Sequence, residues 1–310
     1  MSMPLNVLFW LAVVPATFAL GLFASWIVRK VSAKVQWRVG PPLLQPWWDV
    51  MKLMGKEILV PQDAQKTVFM AAPLVGLVGV LVLSIMLWRT AATGSAFMGD
   101  IVVAIYLMVL PSLALILGSS ASGSPHAAVG TGREMKLVIS YELPLALALV
   151  VVIIKSGGQL NLASIAQHAP ALSISGMLAF LVSLLCVQAK LGFVPFDIAE
   201  SETEVASGVI IEYSGALLGA WKLMQAVMLV ALPLFLVIAF LGGFGATAWS
   251  AVRGLGMYVL VLVLLILIKN TNPRVRIDQA MRFFWVYCGV AMVVAVILAT
   301  LGGIFGYNWL

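Results

Sequence analysis

Apolar residues run along this chain for stretches near the roughly 20 residues that a helix needs to cross a bilayer, with short polar gaps between them. Eight such runs stand out, at 5–28, 67–88, 100–118, 137–154, 176–190, 213–241, 254–269 and 283–305. The pattern predicts an all-α polytopic membrane protein with about eight transmembrane helices, forming a single integral membrane domain over residues 1–310. No basic residue precedes the first run, no small-residue cleavage site follows it, and Arg29, Lys30, Lys34 and Arg38 stop it. It is therefore expected to be a retained span rather than a cleaved signal.

One gap contains a helix of its own. After Pro46, the residues Trp47, Trp48, Met51, Met54 and Ile58 recur at helical spacing, with Asp49, Lys52 and Lys56 on another arc. This pattern suits an amphipathic helix lying in the cytoplasmic interface, either as a docking element or simply as an anchor that positions the first span.

Composition agrees with the spans. Hydrophobic residues make up 63% of the chain and charged residues 10%, against roughly a quarter charged in a soluble domain, so a water-soluble fold is excluded. The formal charge of +6 does not indicate nucleic acid, because the basic residues are confined to the gaps between apolar runs. Cys186 and Cys288 both sit in apolar runs, far apart in sequence, which supports neither a disulfide framework nor a cysteine-ligated cluster. Any redox centre is then expected in another chain.

The distribution of Lys and Arg orients the spans. With the gap after the first span placed in the cytoplasm and the sides alternating, 14 of the 18 basic residues fall in cytoplasmic gaps. Only Arg89, Lys155 and Arg253 fall outside, and Lys222 lies within a span. Both termini are then on the outer side of the cell membrane and the charged loops face the cytoplasm.

Ionisable groups inside a span need a reason, since each costs at least about 2.5 to 3.5 kcal/mol at the bilayer centre. Three stand out: Glu142 just before Pro144, Glu212 at the start of the sixth run, and Lys222 ten residues further on. The block PFDIAESETEVASGVIIEYSG at 195–215 adds Asp197, Glu200, Glu202 and Glu204. If it is helical through to Lys222, then Asp197, Glu200, Glu204, Gly208, Glu212, Gly215, Gly219 and Lys222 share one arc, as a proton path would require. The plainer reading makes Asp197 and Ser201 helix N-caps, Glu142 a protonated acid hydrogen-bonded in the bundle, and Lys222 part of a salt bridge between spans. His126 and His168 read as loop residues without metal-ligand spacing.

Four blocks carry a resemblance: WRVGPPLLQPWWDVMKLMGKE at 37–57, SGSPHAAVGTGREMKLVISYELP at 122–144, the acidic block at 195–215, and NPRVRIDQAMRFFW at 272–285. With them the chain resembles the subunit-1 family of respiratory complex I and its relatives in energy-converting, membrane-bound nickel-iron hydrogenases and formate hydrogenlyases. The resemblance covers essentially the whole chain. It implies a membrane anchor beneath a cytoplasmic electron-transfer arm, without a catalytic centre or independent activity of its own. The implied partners are an iron-sulfur small subunit, a catalytic large subunit and antiporter-like membrane subunits, with lipid and without nucleic acid. The resemblance implies that iron-sulfur clusters and a nickel-iron centre belong to those partners and that no cofactor or metal is bound by this chain.

Carried over by motif, Asp197, Glu200, Glu202 and Glu204 belong to a loop facing the chamber under the arm, and Glu142 and Glu212 to the acidic entrance of the ion path with Lys222. Arg38, Asp49, Lys52, Lys56, Glu57, Arg133, Glu134, Tyr213, Arg274, Arg276 and Asp278 are the implied coupling and docking residues. Three features resemble the hydrogenase branch and count against a bound quinone: Gly40-Pro41-Pro42 runs straight into Leu43-Leu44-Gln45-Pro46, Gln225 stands where the quinone branch tends to place an acid, and Gly123-Ser124-Pro125 is followed by a small-residue loop and Arg133-Glu134. The expected function is coupling of electron transfer in the cytoplasmic arm to H⁺ or Na⁺ movement. The alternatives are the membrane subunit of a quinone reductase, a stand-alone ion or solute carrier, and a purely structural anchor.

Overall fold

A computed structural model describes residues 3–95, 101–201, 204, 206–244, 248–307 and 309, with the backbone alone for 3–11 and 248. Its regular elements are helices. In chain order they are α1 (Met3–Val35), α2 (Gln45–Met54), α3 (Lys66–Thr93), α4 (Ile101–Ser120), α5 (Pro125–Lys155), the short α6 (Leu162–Ile165), α7 (Ile174–Lys190), α8 (Gly215–Phe240), α9 (Ala248–Thr271) and α10 (Ile277–Phe305). Residues 283–288 of α10 form a π-helical segment.

Among the described residues, seven helices are long and apolar enough to cross a membrane. The eighth expected run is shorter and broken. Leu162–Leu172 and Ile174–Lys190 qualify only as a pair, bent by 105° where Ser173 caps α7 with its side chain on the Gly176 amide. The long helices are apolar around their whole circumference because lipid on one side and protein on the other both exclude unpaired backbone groups. Exposed Leu74, Val75, Val78 and Val82 on α3 are such an outer face. Proline is tolerated inside α1, α3, α4, α5 and α8, where neighbouring side chains and helices compensate the lost bond. Span α8 is much more enclosed than α9, with 89% of its most apolar stretch buried against 28%.

The chain divides into two compact units, one of residues 1–85, 107–134 and 199–231, the other of residues 86–106, 135–198 and 232–310. In the first, the interfacial helix α2 forms as expected, and its apolar face is exposed at Trp48 and Met51. The loop that precedes it is tied back to α1, where Trp26 Nε1 donates to the Pro41 carbonyl and Lys30 Nζ to that of Val39.

The acidic block departs from the expected helix. Ala206, Ser207, Gly208 and Gly215 all adopt positive φ, between +40° and +74°, so no right-handed helix passes through them. Among the described residues of the block Glu204 is helical, a 3₁₀ turn follows at Gly208–Ile210, and α8 begins at Gly215. The continuous stripe from Asp197 to Lys222 therefore does not exist. Asp197 also caps no helix, since residues 197–201 are non-helical. His126 lies on α5 rather than in a loop, whereas His168 does lie in a connection, its Nδ1 3.0 Å from the Ser164 carbonyl oxygen.

Candidate functional site

In the second unit, α5 carries Glu142 to the end of α7, where its carboxylate pairs with the ammonium of Lys190. The Lys190 side chain is wholly buried and that of Glu142 is 24% exposed. Placing Lys190 at the last turn of α7 sets its charge against the negative end of that helix dipole. Its Nζ also lies 4.8 Å from the centroid of the Tyr141 ring, which in turn packs edge-on against Phe284. A buried ammonium with a carboxylate and an aromatic face around it is fully compensated only while all three remain. Sequence reading put Lys190 in a cytoplasmic gap and missed it. The signal was present in its place at the end of an apolar run, but nothing in sequence links residue 190 to residue 142.

The same unit holds Asp197 and Arg274, joined by a hydrogen bond of 2.8 Å. This contact ties the start of the acidic block to the connection between α9 and α10, as does the bond from the Val275 amide to the Pro195 carbonyl. Arg276 precedes α10 with its amide held by Gln279, and Asp278 lies exposed in the first turn.

In the first unit, Glu200 accepts hydrogen bonds of 2.9 and 3.2 Å from Gln225 Nε2, and the Gln225 Oε1 atom accepts one of 3.4 Å from Lys222 Nζ. Carboxylate, amide and ammonium thus form one chain of partners, with Lys222 and Gln225 a turn apart on the enclosed helix α8. All three are half-buried. The salt bridge expected for Lys222 across two spans is replaced by this amide relay. Glu212 lies half-buried in the turn before α8, with no hydrogen bond or ion pair among the described residues. Glu204 is exposed and bonded to Arg133 at 2.6 Å, while Glu202 lies outside the described residues.

The other expected docking residues divide into four kinds. Arg38, Lys52, Lys56 and Glu57 are exposed around α2. Asp49 bridges α2 to α1, accepting from Arg29 and from Gln45 at 2.9 Å each. Partial burial alone would raise its carboxyl, but the hydrogen bonds from Arg29 and Gln45 and the charges of Arg29 and Lys52 together hold it below its usual value. Arg133 and Glu134 sit on α5, not on the loop expected for them. Tyr213 is a packing residue rather than a docking one. It is buried, stacks on Phe69 at 4.2 Å, meets Trp221 edge-on and donates to the Phe69 carbonyl. It fits because Gly118 is opposite its hydroxyl, where a Cβ would collide with it.

Among the described residues no group of three or more His, Cys, Asp or Glu is placed to hold a metal ion. What the arrangement offers chemically is proton exchange and charge relay, with ionisable groups partnered inside apolar spans and linked acids near the helix ends.

The NADH dehydrogenase family model matches residues 7–300. The H subunit of the NADH-quinone oxidoreductase of Thermomicrobium roseum is 33% identical over 297 residues, taking in 86% of this chain and 87% of that protein. Its counterpart in Geobacillus kaustophilus is 33% identical over 294 residues, taking in 89% of this chain and 86% of the relative. Among solved structures, a chain of the membrane-bound sulfane sulfur reductase, an archaeal respiratory membrane complex, superposes with a TM-score of 0.86 at 25% identity. That alignment takes in 94% of this chain and 99% of the other.

Proposed function

Because the chain belongs to the NADH dehydrogenase family, as a membrane subunit of a redox complex, we propose that it couples electron transfer in a cytoplasmic arm to ion movement across the membrane. The observation that carries this reading is the buried Lys190–Glu142 pair, an ion pair held inside apolar spans where hydrophobic side chains would pack at no electrostatic penalty. The Glu200–Gln225–Lys222 relay supports it from the other unit.

An electron arriving in the arm changes the charge felt by Asp197, Glu200 and Glu204. At an intermediate dielectric, a unit charge about 4 Å away is worth on the order of 4 kcal/mol, enough to drive proton uptake by a carboxylate. Protonation of Glu200 weakens its hydrogen bonds from Gln225, and with them the hold of the Gln225 oxygen on Lys222, whose ammonium is then free to turn to another acceptor. Glu142 and Lys190 form the second exchanging pair, and Glu212 is a half-buried acid with no ion-pair partner among the described residues. Arg133 fixes Glu204 and Arg274 fixes Asp197, and so they keep these acids presented to the arm.

The complex is of the hydrogenase-related type. Its partners are an iron-sulfur small subunit, a catalytic large subunit with a nickel-iron centre, and antiporter-like membrane subunits. This chain holds none of those centres and no quinone. The short connection Gly40–Gln45 and the amide at Gln225 favour this branch. A second reading, the quinone-site subunit of a quinone reductase, is favoured by the names of the curated relatives.

The test uses the assembled complex in sealed vesicles and counts ions moved per electron transferred. Glu142→Gln, Glu212→Gln and Lys222→Met are each expected to abolish ion movement while electron transfer to a soluble acceptor continues. Wild-type stoichiometry in all three would overturn the proposal. Nickel and hydrogen evolution in the same preparation separate the first branch from the second, for which bound quinone and no nickel are expected.

A further inference from the structure

A cleft of about 410 Å³ opens within the second unit, where the last turns of α7 and α9 meet the first turns of α10. Its wall is apolar, built from Leu185, Pro195, Phe196, Ile268 and Phe283, with Tyr287 at the side. That volume lies in the roughly 300 to 1,000 Å³ range of small-molecule sites, and the composition suits a hydrocarbon chain.

The polar members of the wall tell what sits at its mouth. Asn272 donates its amide nitrogen to the Ile268 carbonyl and to Thr271 Oγ1, and Gln279 accepts on its oxygen from the Arg276 amide. Arg282 alone brings a formal charge to the lining. It is exposed and has no ion-pair partner among the described residues, although Asp278 lies one turn before it on α10. Among the described residues basic groups outnumber acidic ones on the segments around it. Lys269, Arg274, Arg276 and Arg282 stand against Asp197 and Asp278, four positive charges against two negative. Lys269 covers the Phe193 ring at 4.3 Å and Arg274 holds Asp197, so the charge left for a ligand is concentrated at Arg282 and Arg276.

The backbone supports the same placement. Phe283 and Tyr287 both belong to the π-helical segment that begins directly after Arg282, and their rings lie 6.3 Å apart. A π-helical turn shifts the angular register of the residues after it, and such turns often mark functional sites. Here both rings line the cleft and Arg282 stands beside them at the helix start. An apolar slot, aromatic side chains and an unpaired guanidinium, together at the end of three spans, match an interfacial lipid site.

We propose that this cleft binds an anionic phospholipid, one acyl chain in the apolar slot and the phosphate on Arg282. A zwitterionic lipid would fill the slot equally well but carry its own cation to the positive mouth. Selectivity therefore resides in Arg282 and occupancy in the slot. The inference does not depend on the ion path proposed above.

The intact complex, stripped of lipid in detergent, is titrated with phosphatidylglycerol and separately with phosphatidylcholine, and bound lipid is read by native mass spectrometry. Wild type is expected to prefer phosphatidylglycerol, Arg282→Gln to lose that preference by about fivefold, and Lys155→Gln, in the same unit but outside the lining, to keep it. Val275→Phe, which narrows the slot, is expected to lower binding of both lipids. Unchanged selectivity in Arg282→Gln would overturn the proposal. Binding to the isolated subunit but not to the intact complex would overturn it as well, because a neighbouring chain would then cover the cleft. Melting temperatures of the variants distinguish lost binding from lost folding.

Discussion

The Glu142–Lys190 pair is asymmetric, and the asymmetry predicts which half tolerates substitution. Lys190 has no access to solvent along its side chain, whereas 24% of the Glu142 side chain is exposed. Glu142→Gln strands a fully buried ammonium and is expected to cost on the order of 3 to 5 kcal/mol. Lys190→Met leaves a carboxyl that is only partly enclosed by protein, so its cost is expected to fall below that range. The double variant Glu142→Gln, Lys190→Met removes both charges and should recover much of the loss while ion movement stays abolished. Thermal melts of the four proteins in one detergent close the cycle, and equal losses for the two single variants would contradict the asymmetry. Recovery of stability without transport would also exclude a purely structural anchor.

At the scale of elements, α2 is joined to α1 through Arg29 and Asp49, and the sign of that contact with pH follows from the lowered Asp49 carboxyl. A carboxyl whose folded value lies below its unfolded one contributes fully above the unfolded value, and the contribution disappears as pH falls through the folded value. The tether is therefore intact at neutral pH and fails on acidification beneath the usual aspartate value of about 3.9. Amide exchange in residues 45–54 should rise at that acid step, Arg29→Gln should raise it already at neutral pH, and Asp49→Asn should remove the step. Helix α2 itself was legible from the spacing of Trp47, Trp48, Met51 and Met54, because an interfacial helix is set by local periodicity. The acidic block was misjudged for the opposite reason. Helical spacing of Asp197, Glu200 and Glu204 suggested a helix, yet Ser207-Gly208 and Ser214-Gly215 are turn dipeptides, and the backbone takes positive φ at Ser207, Gly208 and Gly215. Gly215 cannot be replaced cheaply, since a Cβ there would run into the Glu57 carbonyl oxygen. Gly215→Ala should therefore lower the melting temperature. Glu142 and Lys222 were visible as charges inside apolar runs, but their partners Lys190, Gln225 and Glu200 depend on tertiary packing that spacing does not encode.

For the molecule as a whole, the broken pair ending in α7 decides the topology, because the seven straight spans leave the parity open. If the pair crosses the membrane, both termini share a side; if it turns back, they do not. Helix α7 takes 16 steps from Ile174 to Lys190, about 24 Å, and thus covers most of a hydrocarbon core of about 30 Å. It ends beside Glu142, which lies 13 residues, or about 20 Å, from the Lys155 end of α5. Charge agrees with crossing. With eight crossings, 14 basic residues face the side of Arg38 and three the other, whereas a re-entrant pair would make the division 10 to 7. Only the first division is strongly biased, as the orientation of membrane proteins by Lys and Arg requires. Cys186 and Cys288 are both buried, so introduced cysteines report position against a quiet background. Arg38→Cys and Arg276→Cys are expected to react with an impermeant maleimide in inside-out vesicles only, and Gln159→Cys and Arg253→Cys in intact cells only. Labelling of Arg38→Cys and Arg276→Cys from opposite sides would make the bent pair a re-entrant hairpin. It would also place the connection carrying Arg274, and with it the Asp197 end of the acidic block, away from the cytoplasmic arm that is proposed to drive it.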